Sequence, residues 1–160
     1  MGKLANLTST DNYFEDFEVG QTIRHARGKT ITELENVNIT NMVMNTAQAH
    51  FNVDSMKKTP LGKILCYGGV NFSMVLGLAS QDTVENALAE LGLDNISLKT
   101  MVHHGDTLYA YSKVLEKKES EQEDAGIVVF KHYGVNQNKE LVAEIERTAL
   151  IKKKSHWLDR

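Results

Sequence analysis

Residues 68–79, GGVNFSMVLGLA, are apolar almost all the way round a helix, with only Asn71 and Ser73 breaking the run. A surface helix keeps one polar face, so a helix of this composition has to be covered by protein on most sides. The rest of the chain must therefore supply a wrapping surface, and its second half has the right period for one. Ile96, Leu98, Thr100 and Val102 alternate with Ser97, Lys99 and Met101, which predicts a strand. Residues 107–115, 127–135 and 141–151 read as three more. Gly105-Asp106 turns between the first two, and Asn136-Gln137-Asn138-Lys139 joins the last two in a hairpin. Long strands with short connections favour an antiparallel sheet. The expected fold class is α+β, a curved antiparallel sheet laid around a central apolar helix.

The first half reads as lead-in to that helix. Residues 1–12 are polar and unpatterned, a loose N-terminal arm. Residues 13–20 mix aromatics with acids and end in a glycine turn, and a strand over Thr22–Thr30 follows. Thr32-Glu33-Leu34-Glu35 has the form of a capping box, with Thr32 as N-cap. The helix it opens carries Ile39, Val43 and Ala47 on one face with Met42 beside them, and His50 and Phe51 prolong that face inward. Residues 52–66 read as a basic surface loop around the only proline, Pro60. After the central helix, Asp82-Thr83-Val84-Glu85 reads as a second capping box. It would open a short helix with Val84, Leu88 and Leu91 inward and Gly92 as its stop.

At 160 residues the chain is long enough for one ordinary core. A net charge of −3 gives no general electrostatic reason to expect nucleic acid or an anionic membrane as partner. The single cysteine, Cys66, excludes an internal disulfide and suits a reducing cytoplasm, and it reads as buried and inert. The opening MGKLANLTSTDNYFEDF lacks the layout of a signal peptide. A cytoplasmic protein is the expectation. His103 and His104 are adjacent on an extended segment and point to opposite faces, with no further ligand pattern, so no metal is expected. Met42, Met44, Met56, Met74 and Met101 read as core or tunnel filler.

Four pieces of the chain together resemble a known family. They are Phe14-Glu15-Asp16-Phe17-Glu18-Val19-Gly20, then Asn45-Thr46-Ala47-Gln48-Ala49-His50, then Ile64-Leu65-Cys66-Tyr67-Gly68-Gly69, and Val102-His103-His104-Gly105-Asp106-Thr107-Leu108. In this order and spacing they resemble the MaoC-like dehydratases, the single hot-dog group that includes (R)-specific enoyl-CoA hydratases. Within that group the chain looks closest to the mesaconyl-CoA hydratase-like branch. The resemblance spans residues 13–153, with residues 154–160 as a tail.

The resemblance implies a hot-dog fold with the Gly68 helix wrapped by the sheet. It also implies homodimers or larger homo-oligomers, and reversible hydration of a short enoyl-CoA, branched and dicarboxylic acyl groups included. Coenzyme A would enter as part of the substrate, with no separate cofactor. His50 would be the acid–base residue, and the Gly68 and Gly69 amides, next to Tyr67, would hold the thioester oxygen as helix N-terminal donors. Two positions depart from the family pattern. Asn45 stands where an aspartate is usual, and Tyr67 where a histidine is common. An amide can orient water but cannot take its proton, so either His50 works as the single acid–base group with Asn45 holding the water, or another carboxylate helps, Asp54 being the candidate close in sequence. Lys57, Lys58 and Lys63 would face solvent or the phosphates of coenzyme A. A non-catalytic acyl-CoA-binding or structural hot-dog subunit is the alternative. Thioesterase action ranks lowest, because residues 68–79 contain no carboxylate.

Overall fold

The computed structural model describes Lys3–Leu4 and residues 11–157. Six strands form one sheet: β1 (Lys3–Leu4), β2 (Thr22–Thr30), β3 (Ala87–Leu98), β4 (Thr107–Glu119), β5 (Ala125–Val135) and β6 (Leu141–Lys152). Their order is β1-β2-β4-β5-β6-β3, and all pairs are antiparallel except the short β1–β2 ladder. Register shifts interrupt every long ladder, three of them between β3 and β6. Each such shift bends and further twists its strand, which is how the sheet acquires a concave face.

The long helix α3 (Gly68–Thr83) lies against that face, touching β2, β4, β5 and β6. Period-two burial supplies the floor: Leu108, Ala110, Ser112 and Val114 on β4 are all buried, as are Val128, Phe130 and His132 on β5. At Gly134 the helix comes so near that an added Cβ would lie 2.3 Å from Val75 Cγ2, so a side chain there would lift α3 off the sheet. One core cluster joins Val70, Val75, Leu76 and Ala79 of α3 to Leu108, Ala110, Val142 and Ile145. A second, built on Phe14, Phe17, Val114, Phe130 and Ile151, closes the other end of the sheet. The aromatics of the acidic entry segment belong to it, and its Gly20 turns at φ +88°.

Several expectations need correction, among them the strand expected over residues 96–102, which instead ends at Leu98. No helix follows Asp82. Those residues finish α3, and residues 87–98 form β3, with Leu88 and Leu91 exposed along the sheet edge. The capping groups are already committed: the Asp82 carboxylate goes to His25, and the Thr83 hydroxyl donates back to the Ala79 carbonyl.

The helix after Thr32 does have its capping box, but α1 (Glu33–Met42) stops well short of His50. Met44 adopts φ +56°, while its N–H reaches Asn41 O and the Asn45 N–H reaches Thr40 O. This is a Schellman ending built without glycine. The face α1 buries is Asn36 and Thr40, whereas Met42 and Val43 are 80% and 53% exposed. Met44 and Met101 are exposed as well, so of the five methionines read as filler only Met56 is fully buried.

The basic connector holds a short helix, α2 (Val53–Lys57), capped by the Asn52 side chain on Ser55 N–H. Of the N-terminal arm, Lys3–Leu4 pairs with Ile23 and Arg24, and residues 1, 2 and 5–10 lie outside the described residues. The start of the expected tail forms α4 (Lys154–Trp157), tied down by Lys154 to Asp16 and by Trp157 to Asp124. No helix among the described residues is long and apolar enough to cross a membrane.

Candidate active site

His50 arrives on a separate 3-10 turn, Gln48–His50, and is held there by two other segments, residues 64–67 and α1. Its Nδ1 bonds the Leu65 carbonyl oxygen at 2.8 Å, and the Leu65 N–H returns to Ala49 O at 3.0 Å. A carbonyl only accepts, so Nδ1 carries the proton and Nε2 is the nitrogen with the lone pair. The 64–66 segment is itself pinned on its far side. His103 Nδ1 donates to Ile64 O at 2.6 Å, and the Cys66 N–H donates to Val102 O at 2.8 Å.

Asn36, fully buried on α1, ties these pieces together. Its Nδ2 donates to the His50 carbonyl at 2.8 Å and lies 3.0 Å from His104 Nε2, and its Oδ1 accepts the Tyr67 N–H at 2.9 Å. The Tyr67 ring stands 5.5 Å from the His50 ring. Tyr67 is also the N-cap of α3, so its backbone fixes where that helix begins. Gly68 and Gly69 are then the first two helical residues, and N–H groups at such positions have no acceptor inside the helix.

A cleft of about 210 Å³ opens at this helix start. His50, Leu65, Cys66, Gly68 and Asn71 line one side, and residues 98–102 line the other. Both helix-start glycines have close neighbours. A Cβ on Gly68 would meet Leu98 Cδ1 at 2.3 Å, and one on Gly69 would meet the Tyr67 ring at 2.3 Å. Burial, then the Asp106 charge, pushes the Cys66 thiol up to about 12, so it stays protonated and unreactive in the wall.

Of the residues expected to form the site, His50 and Gly68 share the cleft, with Tyr67 and Gly69 flanking it. Asn45 and Asp54 are elsewhere. The Asn45 side-chain oxygen accepts the Ala47 N–H at 3.0 Å, shaping the loop that delivers His50. Asp54 sits exposed on α2, ion-paired with Lys58 at 2.7 Å. The sequence reading gave no part to Asn36 or Leu65. Asn71 did leave a signal, as one of the two polar breaks in the apolar run.

A long helix wrapped by a curved antiparallel sheet, with a histidine at the helix start, defines a MaoC-like hot-dog domain. The mesaconyl-CoA hydratase profile matches residues 3–153, and the chain belongs to that family. It is 33% identical over 158 residues to the mesaconyl-CoA hydratase of Haloarcula marismortui, covering 92% of this chain and 44% of that protein. A MaoC-domain dehydratase structure from Chloroflexus aurantiacus superposes with a TM-score of 0.83 at 26% identity, over 91% of this chain and 45% of that one. A Mycobacterium tuberculosis protein with a double hot-dog fold gives a TM-score of 0.80 at 20% identity, again over 91% and 45%, which bears on the fold alone. The chain thus spans a little under half the length of the curated relative and of both of these structures.

Proposed function

We propose that this domain adds water reversibly across the double bond of a short-chain enoyl-CoA, with dicarboxylic acyl groups such as mesaconyl in its range. The observation that carries the reading is the His50–Leu65 bond. It presents an imidazole in a defined tautomer within the same cleft as the start of α3.

In the hydration direction, His50 Nε2 takes a proton from water as the water oxygen bonds Cβ. The π electrons move through Cα onto the thioester oxygen, where the amide donors and the positive end of the α3 dipole stabilise the charge. The proton on His50 then passes to Cα, and the thioester carbonyl reforms. One water is consumed and no other reactant is needed, so coenzyme A enters only as part of the substrate. Dehydration is the same path reversed. Because a single imidazole gives and takes the proton, no carboxylate is required at position 45. The relatives named as hydratase and dehydratase support this reading.

A second copy of the chain would complete the assembly along β3. That strand ends the sheet with Leu88, Leu91, Ile96 and Leu98 exposed, and it runs directly into the 98–102 wall of the cleft.

The purified chain should remove enoyl absorbance from crotonyl-, mesaconyl- or itaconyl-CoA, and His50→Ala should abolish it. Absence of turnover with all three, or full activity in His50→Ala, would overturn the assignment. Release of free coenzyme A thiol would instead indicate thioesterase action, and Cys66 is too buried to interfere with a thiol reagent.

A further inference from the structure

Asn71 is the one buried polar side chain in the cleft that the proposed chemistry leaves unused. It lies on α3 one turn after Gly68 and is 5% exposed, yet it lines the cleft with His50. Its Oδ1 has no hydrogen-bond partner among the described residues. Buried polar atoms in folded proteins are nearly always paired, so an unpaired acceptor on a residue of the cleft wall is a candidate partner for a donor that the ligand brings. Of the other polar side chains there, Thr100 is only half-buried. His50 is the base, and Lys99 only donates and is drawn to Glu144 at 3.3 Å. Asn45, the residue expected to hold water, spends its oxygen on Ala47 N–H and does not line the cleft.

We propose that Asn71 positions the oxygen that is added and removed in the reaction. Its Oδ1 accepts a hydrogen bond from the attacking water and, after addition, from the β-hydroxyl of the product. This rests on the hydratase reading. One water proton goes to His50 Nε2, the other points at Asn71 Oδ1, and a lone pair of the oxygen is aimed at Cβ. The amide itself is unchanged by turnover. Its place inside the apolar run follows: an apolar residue would pack as well there but could not orient water.

The test is Asn71→Leu, with Asn71→Ala as a second variant should leucine not be accommodated. Hydration kinetics are joined to calorimetric binding of 3-hydroxybutyryl-CoA and butyryl-CoA, which differ by the hydroxyl alone. The expected kcat falls about a hundredfold, as for a misplaced reactant, while KM for the enoyl ester stays within about threefold. Affinity for the hydroxy ester should fall roughly tenfold, the worth of one net hydrogen bond, while butyryl-CoA binds as before. The thermal midpoint should hold or rise, because no protein hydrogen bond is lost. Equal weakening of both esters, or an unchanged kcat, would overturn the proposal. If the wild-type chain hydrates no enoyl-CoA, the hydratase reading falls. The two binding constants then decide the Asn71 assignment by themselves, a selective loss supporting it and a uniform one overturning it.

Discussion

The side-chain amide of Asn36 donates to the carbonyl oxygen of His50 at 2.8 Å, across 14 residues of chain. The same side chain accepts the Tyr67 N–H, so one buried residue of α1 sets both the histidine and the start of the central helix. The distance between His50 and the helix start is thereby governed by a residue that does not itself line the cleft.

Replacing Asn36 with alanine should therefore damage stability and rate together. The Tyr67 N–H and the His50 carbonyl would be left unpaired, at a cost of roughly 3 kcal/mol. That corresponds to a fall in Tm of about 6–12 °C for a chain of this size. Below the melting range kcat should drop by about tenfold or more, since the imidazole loses its positioning. Thermal melts followed by circular dichroism, with hydration assays well below Tm, check both. Asn36→Asp keeps an acceptor for Tyr67 and should fall in between.

A second buried network predicts the pH dependence of stability. His132 Nδ1 meets Ser112 Oγ at 2.6 Å, Ser112 meets His25 Nε2 at 2.7 Å, and His25 Nδ1 meets Asp82 Oδ2 at 2.7 Å. Burial, then the Arg147 and His25 charges, holds His132 down to about 3. Burial also lowers His25, against the opposing pull of Asp82. Unfolded histidine titrates near 6.5, so below that pH the unfolded chain takes up protons that the folded chain refuses. The stability held in these groups is complete above about pH 6.5 and is lost as pH falls toward their folded values. His132 alone sets a slope of about 1.4 kcal/mol per pH unit. Urea melts at about pH 7.5, 6 and 5 should show it, before most carboxylates titrate. His132→Phe should flatten the slope by about one proton's worth.

Gly68→Ala should act on catalysis more than on folding. Its Cβ would meet only the end of the Leu98 side chain, which is half exposed and free to swing. Moving it narrows the cleft beside His50. The expected result is a kcat/KM lowered by about tenfold or more with a near-unchanged Tm. A large loss of Tm with normal kinetics would contradict it.

Leu91→Asp tests the β3 edge. A charge on an exposed edge strand should block pairing with a second copy without harming the monomer core, because Leu91 is 51% exposed in the single chain. Light scattering after size exclusion should show a dimer for wild type and a monomer for the variant. Activity should fall with it, since the 98–102 cleft wall continues from that strand.

The α+β class, the wrapped central helix and the β4, β5 and β6 strands were legible because burial imprints its period directly on local sequence. The capping box at Thr32 and Glu35 was legible for the same reason, as were the Gly68 helix start and the hairpin through Asn136. Local sequence misled at residues 82–92. There Asp82 and Thr83 carry cap chemistry, but His25 claims the Asp82 carboxylate from elsewhere in the fold, and the Thr83 hydroxyl turns back to Ala79 one turn earlier in α3. It misled again after Thr40, where Met44 ends α1 in a conformation that glycine usually marks.

The sequence alone determined that an apolar helix must be enclosed, since periodicity is a property of neighbours along the chain, whereas the place of His50 beside its start followed only from the resemblance to the MaoC-like family. Tertiary structure decided what surrounds the histidine: Leu65 as its tautomer anchor, Asn36 as its brace, Asn71 as its cleft companion, and Asn45 turned to the loop instead. The Leu65 and Asn36 bonds are choices of partner made between distant segments. A polar group's partner depends on which surface folding brings opposite it, and no local pattern records that.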